Sequence, residues 1–520
     1  MKTKHIFSLK GTTATTVILA TLMMVFSCSK TVNDPVASIN IPSSLDENAG
    51  NWKPYVLAAT SEIPVAEPNA ATSAEYKAEI QKLKDVTSKI TAQQREQVNY
   101  WGAGAVFRWN EIGRELAARY NTPPASDKDG KYPLPDAANP LADPKFPFAN
   151  PPYTARALAY LSVAQYDALI TAWNYKFKYN RKAPSKTDQS VLTLLPVTDL
   201  PSYPSEDAVV AEASVIILKA MFPGEVPFLE QKLAEHKNSR LWAGMNVESD
   251  ISAGAELGKA VGAKVMARAK TDGMGTANNQ AKTAEMIANA RTIGTTEPWV
   301  SQEVPARPPM LPTYGGVLPW NFDRPTIVTL RPEAPPALGS AEFQKNMDEL
   351  LNIAKNQTRE QARIASFWSD GVGSYTPPGH WHRRGANLCH DNSFSEVRTA
   401  RTLALLGTAI QDAGICCWDT KYYYYYPRPN QMSRKVKTSV GLPNFPSYTS
   451  GHSMFSGAGA EVLAHIFPSE AEKLNAMAAE ASLSRIYGLI HYRFDCETGL
   501  ATGHKVGNYA VQRAKTDGAE

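Results

Sequence analysis

Little in this chain is suited to cross-linking, to gripping nucleic acid or to crossing a membrane, and each shortage narrows what it can be. Five cysteines in 520 residues make no disulfide scaffold, and none stands in a zinc-ligand spacing. Lysine and arginine number 54 against 50 aspartates and glutamates, a net charge of +4 that is too mild and dispersed for a nucleic-acid partner. After the amino-terminal leader no uninterrupted apolar run is long enough to span a bilayer. Strand-like alternation is scarce, and no phosphate loop, dinucleotide fingerprint or serine-hydrolase elbow occurs.

The leader itself is informative. Lys2, Lys4 and Lys10 precede the apolar stretch Thr15–Phe26, which closes in Val25-Phe26-Ser27-Cys28. That ending resembles a bacterial lipoprotein cleavage box, which implies an exported cell-envelope protein with Cys28 lipidated and the membrane met only through that anchor. Residues 1–28 are then leader, and residues 29–72, rich in Ser, Pro, Asn and Ala, read as a flexible tether.

The remainder is long enough for one large or two ordinary domains. Apolar periodicity over Ala155–Ala172, Ala208–Met221, Ala255–Ala269, Arg398–Trp418 and Ser453–Ile466 predicts amphipathic helices, and so an all-α protein. Shifting the chain by 245 residues against itself aligns Thr154-Ala155-Arg156 with Thr399-Ala400-Arg401, Lys176 with Lys421, and Pro201-Ser202-Tyr203 with Pro446-Ser447-Tyr448. The same shift pairs Ser239-Arg240 with Ser484-Arg485 and Arg268–Gly273 with Arg513–Gly518. A constant offset over such a length predicts an internal duplication: two related helical bundles, a degenerate one within 73–273 and a second within 346–520. Residues 274–345, proline-rich and irregular, read as a connector packed on a surface or lining a site.

Only the second copy keeps a chemical constellation. Lys421, Arg428 and Arg485 are fixed cations, and arginine forks match the oxygens of a tetrahedral anion. Ser450 and the Gly451 amide add neutral donors at a predicted helix start, where an anion is favoured. Ser484, Gly488, His491 and Asp495 fall at spacings of four, three and four, which on a helix would form one stripe. Gly488 would then leave room beside His491, Asp495 could orient its ring, and His452 would be free as general acid or base. In the first copy Ala183, Asp207 and Asn246 replace Arg428, His452 and His491, and Glu206-Asp207 would repel an oxyanion.

This ordered set resembles the superfamily of type 2 phosphatidic acid phosphatases and vanadium haloperoxidases, whose pattern is Lys, six residues, Arg-Pro; Pro-Ser-Gly-His; Ser-Arg, five residues, His, three residues, Asp. The one departure is Thr449 in place of the proline before Ser450. Glu360–Gly371, leading into Thr376-Pro-Pro-Gly-His-Trp381, and the proline-rich insert are similar to the soluble bacterial haloperoxidase branch. The resemblance implies vanadate as cofactor, bonded to His491 and held by Lys421, Arg428, Ser450, Gly451 and Arg485, with His452 moving protons while hydrogen peroxide oxidises a halide. It equally implies an alternative, phosphomonoester hydrolysis through a phosphohistidine at His491. A module that has lost catalysis is a third reading. The cluster His380-Trp-His382 with Cys389-His390 is the one place to look for another metal.

Overall fold

The computed structural model describes residues 37–132 and 148–520. Cys28 and the leader lie outside the described residues. Residues 39–520 form one compact unit.

Among the described residues every regular element is a helix, and the five segments of apolar periodicity are all helical. Three helices open the unit: α1 (Ala74–Thr87), α2 (Ala92–Trp101) and α3 (Ala105–Tyr120). They are followed by α4 (Pro151–Tyr179), α5 (Glu206–Met221), α6 (Val226–Trp242) and α7 (Glu248–Ala269). After the connector come α8 (Ala341–Asn356), α9 (Arg359–Phe367) and α10 (Thr376–Asp391). The chain closes with α11 (Glu396–Tyr424), α12 (Gly451–Ile466), α13 (Ala471–Tyr487) and α14 (Arg493–Ala514).

The bounds of α4 to α7 and of α11 to α14 differ by the same 245 residues, and several polar contacts recur at that offset. Arg156 binds Asp272 and Arg401 binds Asp517, each through Nε at 2.7 Å. Lys176 and Lys421 donate to the carbonyls of Pro201 and Pro446. The long helices α4 and α11, 29 residues each, pack on one another through the core. Each starts under a side-chain cap, Asn150 or Ser395, and stops at a residue in left-handed conformation, Asn180 or Tyr425.

What positions the site is the closeness of α12 and α14. A Cβ added at Gly503 would sit 2.4 Å from the carbonyl oxygen of Met454, so only glycine lets the two backbones approach this far. That approach brings the start of α14 under the start of α12, where Ser450 N donates to Asp495 O at 3.0 Å.

Two expected segments need correction. Residues 39–72 of the tether are seated on the bundle, because a few anchors outweigh its polar composition. Trp52 and Leu57 are buried, Asp46 is ion-paired with Arg398, and the amides of Tyr55, Val56 and Leu57 all donate to Asp167. The connector is not structureless either: it holds a helix over Thr283–Thr292 and another over Arg324–Leu330. Its carbonyls receive the tyrosine run that ends α11. Tyr422 donates to Met310 O at 2.6 Å, Tyr424 to Pro332 O at 2.8 Å and Tyr426 to Pro336 O at 2.7 Å. Prolines have no amide to spare but offer good carbonyl acceptors, which is why hydroxyls complete this contact.

Candidate oxyanion site

Lys421 projects from the last turn of α11 and is completely buried, donating from Nζ to the carbonyls of Pro446 and Ser447, both at 2.8 Å. Burial pushes its pKa down to about 7, with the Arg428 charge acting in the same direction. Arg428 donates from Nε to Phe445 O at 2.9 Å and from Nη1 to Ile490 O at 2.8 Å, and its Nη2 is buried without a partner. Arg485, at the end of α13, donates from Nε to Ser484 Oγ at 3.0 Å and from Nη2 to Trp368 O at 2.7 Å. Burial lowers both guanidinium pKa values to about 10, so both remain charged at neutral pH.

Ser450 caps α12, its Oγ accepting from Ser453 N at 3.3 Å, and Gly451 is the first helical residue. The orphan amides of that helix start, together with the dipole, favour negative charge there. His452 follows, with a buried Nε2 that has no partner. Burial and the Arg485 charge push its pKa well below the usual imidazole range, which leaves it neutral and able to accept a proton.

His491 and Asp495 do not lie on one continuous helix, contrary to the stripe expected from their spacing. The helix ends at Tyr487, Leu489 turns through a left-handed conformation at φ 61°, and α14 begins only at Arg493. Asp495 caps that second helix, accepting from Tyr492 N at 3.2 Å. Gly488 makes room not for His491 but for Val440, whose Cγ2 would lie 2.9 Å from an added Cβ. The break turns His491 Nδ1 toward Asp495 Oδ2 at 2.8 Å, and Ser447 Oγ donates to that same oxygen at 2.5 Å. A proton held on Nδ1 leaves Nε2 as an acceptor, met only by Arg428 Nη1 at 3.4 Å. Burial, followed by the charges of Arg428 and Lys421, drives the His491 pKa well below its ordinary value. Burial raises Asp495 to about 6.

All eight expected residues therefore meet at the facing ends of α11, α12, α13 and α14. Three further contributors were not singled out. Ser447 bears on both His491 and Asp495. Trp368 presents its carbonyl to Arg485, and the Asp370 charge opposes the lowering of that guanidinium's pKa. The signal for Ser447 was its alignment with Ser202, which touches Asp250 in the other half. The other candidate metal cluster does not assemble as such. His380 stacks on Trp368 beside Asp370, His382 pairs with Asn110 at 3.1 Å, Cys389 is buried, and His390 lies against Phe107.

The corresponding cations 245 residues earlier have their own counter-charges. Lys176 pairs with Glu206 at 2.7 Å, while Asp207 meets Arg240 at 3.5 Å and His236 at 2.9 Å. Lys421 and Arg428, among the described residues, have only carbonyls as hydrogen-bond acceptors, apart from the weak contact of Arg428 with His491.

The family model of the PAP2 superfamily matches residues 402–517. A bacterial vanadium-dependent iodoperoxidase superposes with a TM-score of 0.57 at 21% identity, over 79% of this chain and 96% of its own. A bacterial vanadium-dependent chloroperoxidase in its holo form gives 0.51 at 14% identity, over 76% of this chain and 98% of its own. No curated protein matches. Residues 402–517 thus match the PAP2 superfamily model, within a helical fold like that of the bacterial vanadium-dependent haloperoxidases.

Proposed function

We propose that this protein is a vanadate-dependent haloperoxidase that oxidises a halide with hydrogen peroxide. The observation carrying the reading is His491 Nε2, a buried nitrogen whose lone pair meets only a long 3.4 Å contact from Arg428 Nη1, set among three cations while Asp495 holds the opposite side of the ring. Its surroundings suit a tetrahedral oxyanion, because Arg428 Nη2 and His452 Nε2 are buried polar atoms in want of a partner. His491 would hold vanadate, with Lys421, Arg428, Ser450, the Gly451 amide and Arg485 around its oxygens; bound there, the group supplies Lewis acidity toward a peroxide oxygen.

The protein's own part is charge and proton handling. Lys421, Arg428 and Arg485 are fixed in place by carbonyls and Ser484, so they stabilise negative charge without reorganising. Neutral His452 takes the proton that hydrogen peroxide gives up and returns it to a leaving hydroxide. The two superposing peroxidases, each covered almost in full, support halide as the substrate class.

The family match gives a second reading some support, because the same Nε2 is a nucleophile suited to phosphoryl transfer. Hydrolysis would run through a phosphohistidine at His491, with His452 protonating the leaving alkoxide. One experiment separates the two: peroxide-driven halide oxidation before and after vanadate loading, with phosphomonoester hydrolysis followed in parallel. Halide oxidation that appears only after loading supports the peroxidase; hydrolysis inhibited by vanadate, without halide oxidation, replaces it with the phosphatase. We further propose export as a lipoprotein, to be tested by fatty-acid labelling that is lost in Cys28→Ser.

A further inference from the structure

A cavity of about 120 Å³ lies in the amino-terminal half, walled by Trp101, Trp173 and Leu45. Its charged lining comes from Glu206, Asp207, Arg240 and Glu396. Asp207 and Arg240 stand 245 residues before His452 and Arg485, so the cavity occupies the register of the oxyanion site with different chemistry. A lone multiply charged oxyanion is disfavoured, because Lys176 and the Nη1 of Arg240 already face the carboxylates of Glu206 and Asp207 and only Nη2 of Arg240 is left over.

Two features remain unanswered within the protein. The first is negative. Glu396 reaches in from the start of α11 and accepts from the amides of Ala105 and Val106 at 3.0 and 2.9 Å. Gly104 makes this possible, since a Cβ there would meet Glu396 Oε1 at 2.9 Å. Burial raises the Glu396 pKa to about 7, and the neighbouring Asp207 and Glu206 charges add to the rise; those two already have cationic partners, so Glu396 is the carboxyl that a positive charge in the cavity would relieve. The second is a donor. Arg240 is only 5% exposed, and its Nη2 has no acceptor. A buried guanidinium N–H without a partner is costly and asks for an anionic or carbonyl oxygen.

One small ligand bearing both a cation and an acceptor meets both demands. A cavity of roughly 150 Å³ holds a benzene, so the space here suits about six heavy atoms. Indole walls are favourable neighbours for an ammonium group. Ile41, 55% exposed, belongs to the lining and marks the way in from solvent.

We propose that this cavity binds a small zwitterion, an α-amino acid with a short apolar side chain, its carboxylate on Arg240 and its ammonium toward Glu206 and Glu396. The site is independent of the reaction assigned to the other half.

Calorimetric titration of the whole protein with L-alanine tests it, with tetramethylammonium and acetate as single-charge probes. L-Alanine is expected to bind one to one with a dissociation constant at or below about 1 mM, and each single-charge probe about tenfold more weakly or worse. Glu396→Gln should weaken L-alanine about tenfold, and Leu45→Trp, which fills the cavity, should abolish binding. If Leu45→Trp does not fold, Thr198→Trp on the lining serves the same purpose. His491→Ala should leave the affinity unchanged. Absence of L-alanine binding, equal binding of either single-charge probe, or binding that survives the filled cavity would overturn the proposal.

Discussion

Raising the pH from 7 to 9 should strip the oxyanion site of much of its affinity, through a single lysine. Lys421 is buried among carbonyls and beside Arg428, and its pKa is pushed down to about 7. The group is therefore charged below about pH 7 and increasingly neutral above it. An anion binds the charged form, so binding takes up a proton on the alkaline side. About half of the lysine is charged at pH 7 and about 1% at pH 9, so affinity should fall about 50-fold, about 2.3 kcal/mol, approaching tenfold per unit at the alkaline end. Other groups near Lys421 do not titrate in this window. Asp495 lies lower, at about 6, Cys417 is raised by burial, Cys496 is raised to about 12, and Arg428 stays at about 10. Sulfate is a suitable probe in equilibrium dialysis, because its own charge is constant through this range. Lys421→Met should bind weakly at every pH, meeting the wild-type curve at its alkaline end. A wild-type affinity that is flat between pH 7 and 9, or a slope that persists in Lys421→Met, would refute the reasoning.

Three other outcomes are expected. His452→Ala should lower turnover about 10²- to 10⁴-fold while oxyanion binding is largely retained, whereas Asp207→Ala should leave turnover alone, as steady-state kinetics alongside dialysis would show. Asp495→Asn should weaken vanadate retention about 10- to 100-fold, because His491, Ser447 and the Tyr492 amide all converge on one of its oxygens; dialysis at fixed pH measures this. Gly503→Ala should cost about 1–3 kcal/mol in denaturant unfolding and reduce oxyanion affinity too, since an added Cβ pushes the Met454 carbonyl and hence the start of α12.

The helices were legible because their apolar faces and caps are local properties: Ser395 and Ser450 stand just before the periodic runs they start. The charged site was legible because its members carry chemistry that packing alone does not require. The path of the backbone between His491 and Asp495 was not. A spacing of four suits an unbroken helix, and the left-handed turn at Leu489 breaks it, after which Asp495 caps a new helix by accepting from the Tyr492 amide. Ser447, Trp368 and Asp370 were missed for a related reason. They act through carbonyls, or through partners more than forty residues away. Composition misled over residues 39–72, where a handful of buried contacts, Asp167 with three amides above all, outweighs a polar majority.

The tyrosine hydroxyls hold the connector by contacts that do not depend on its covalent continuity. Val304 stands 98% exposed, a natural point for protease entry. Both flanks are tied down: Trp299 N donates to Tyr425 O before it, and Met310, Pro332 and Pro336 receive tyrosines after it. A nick there would leave two fragments that migrate as one native particle and separate only under denaturation, with the lysine one turn from those tyrosines still in register.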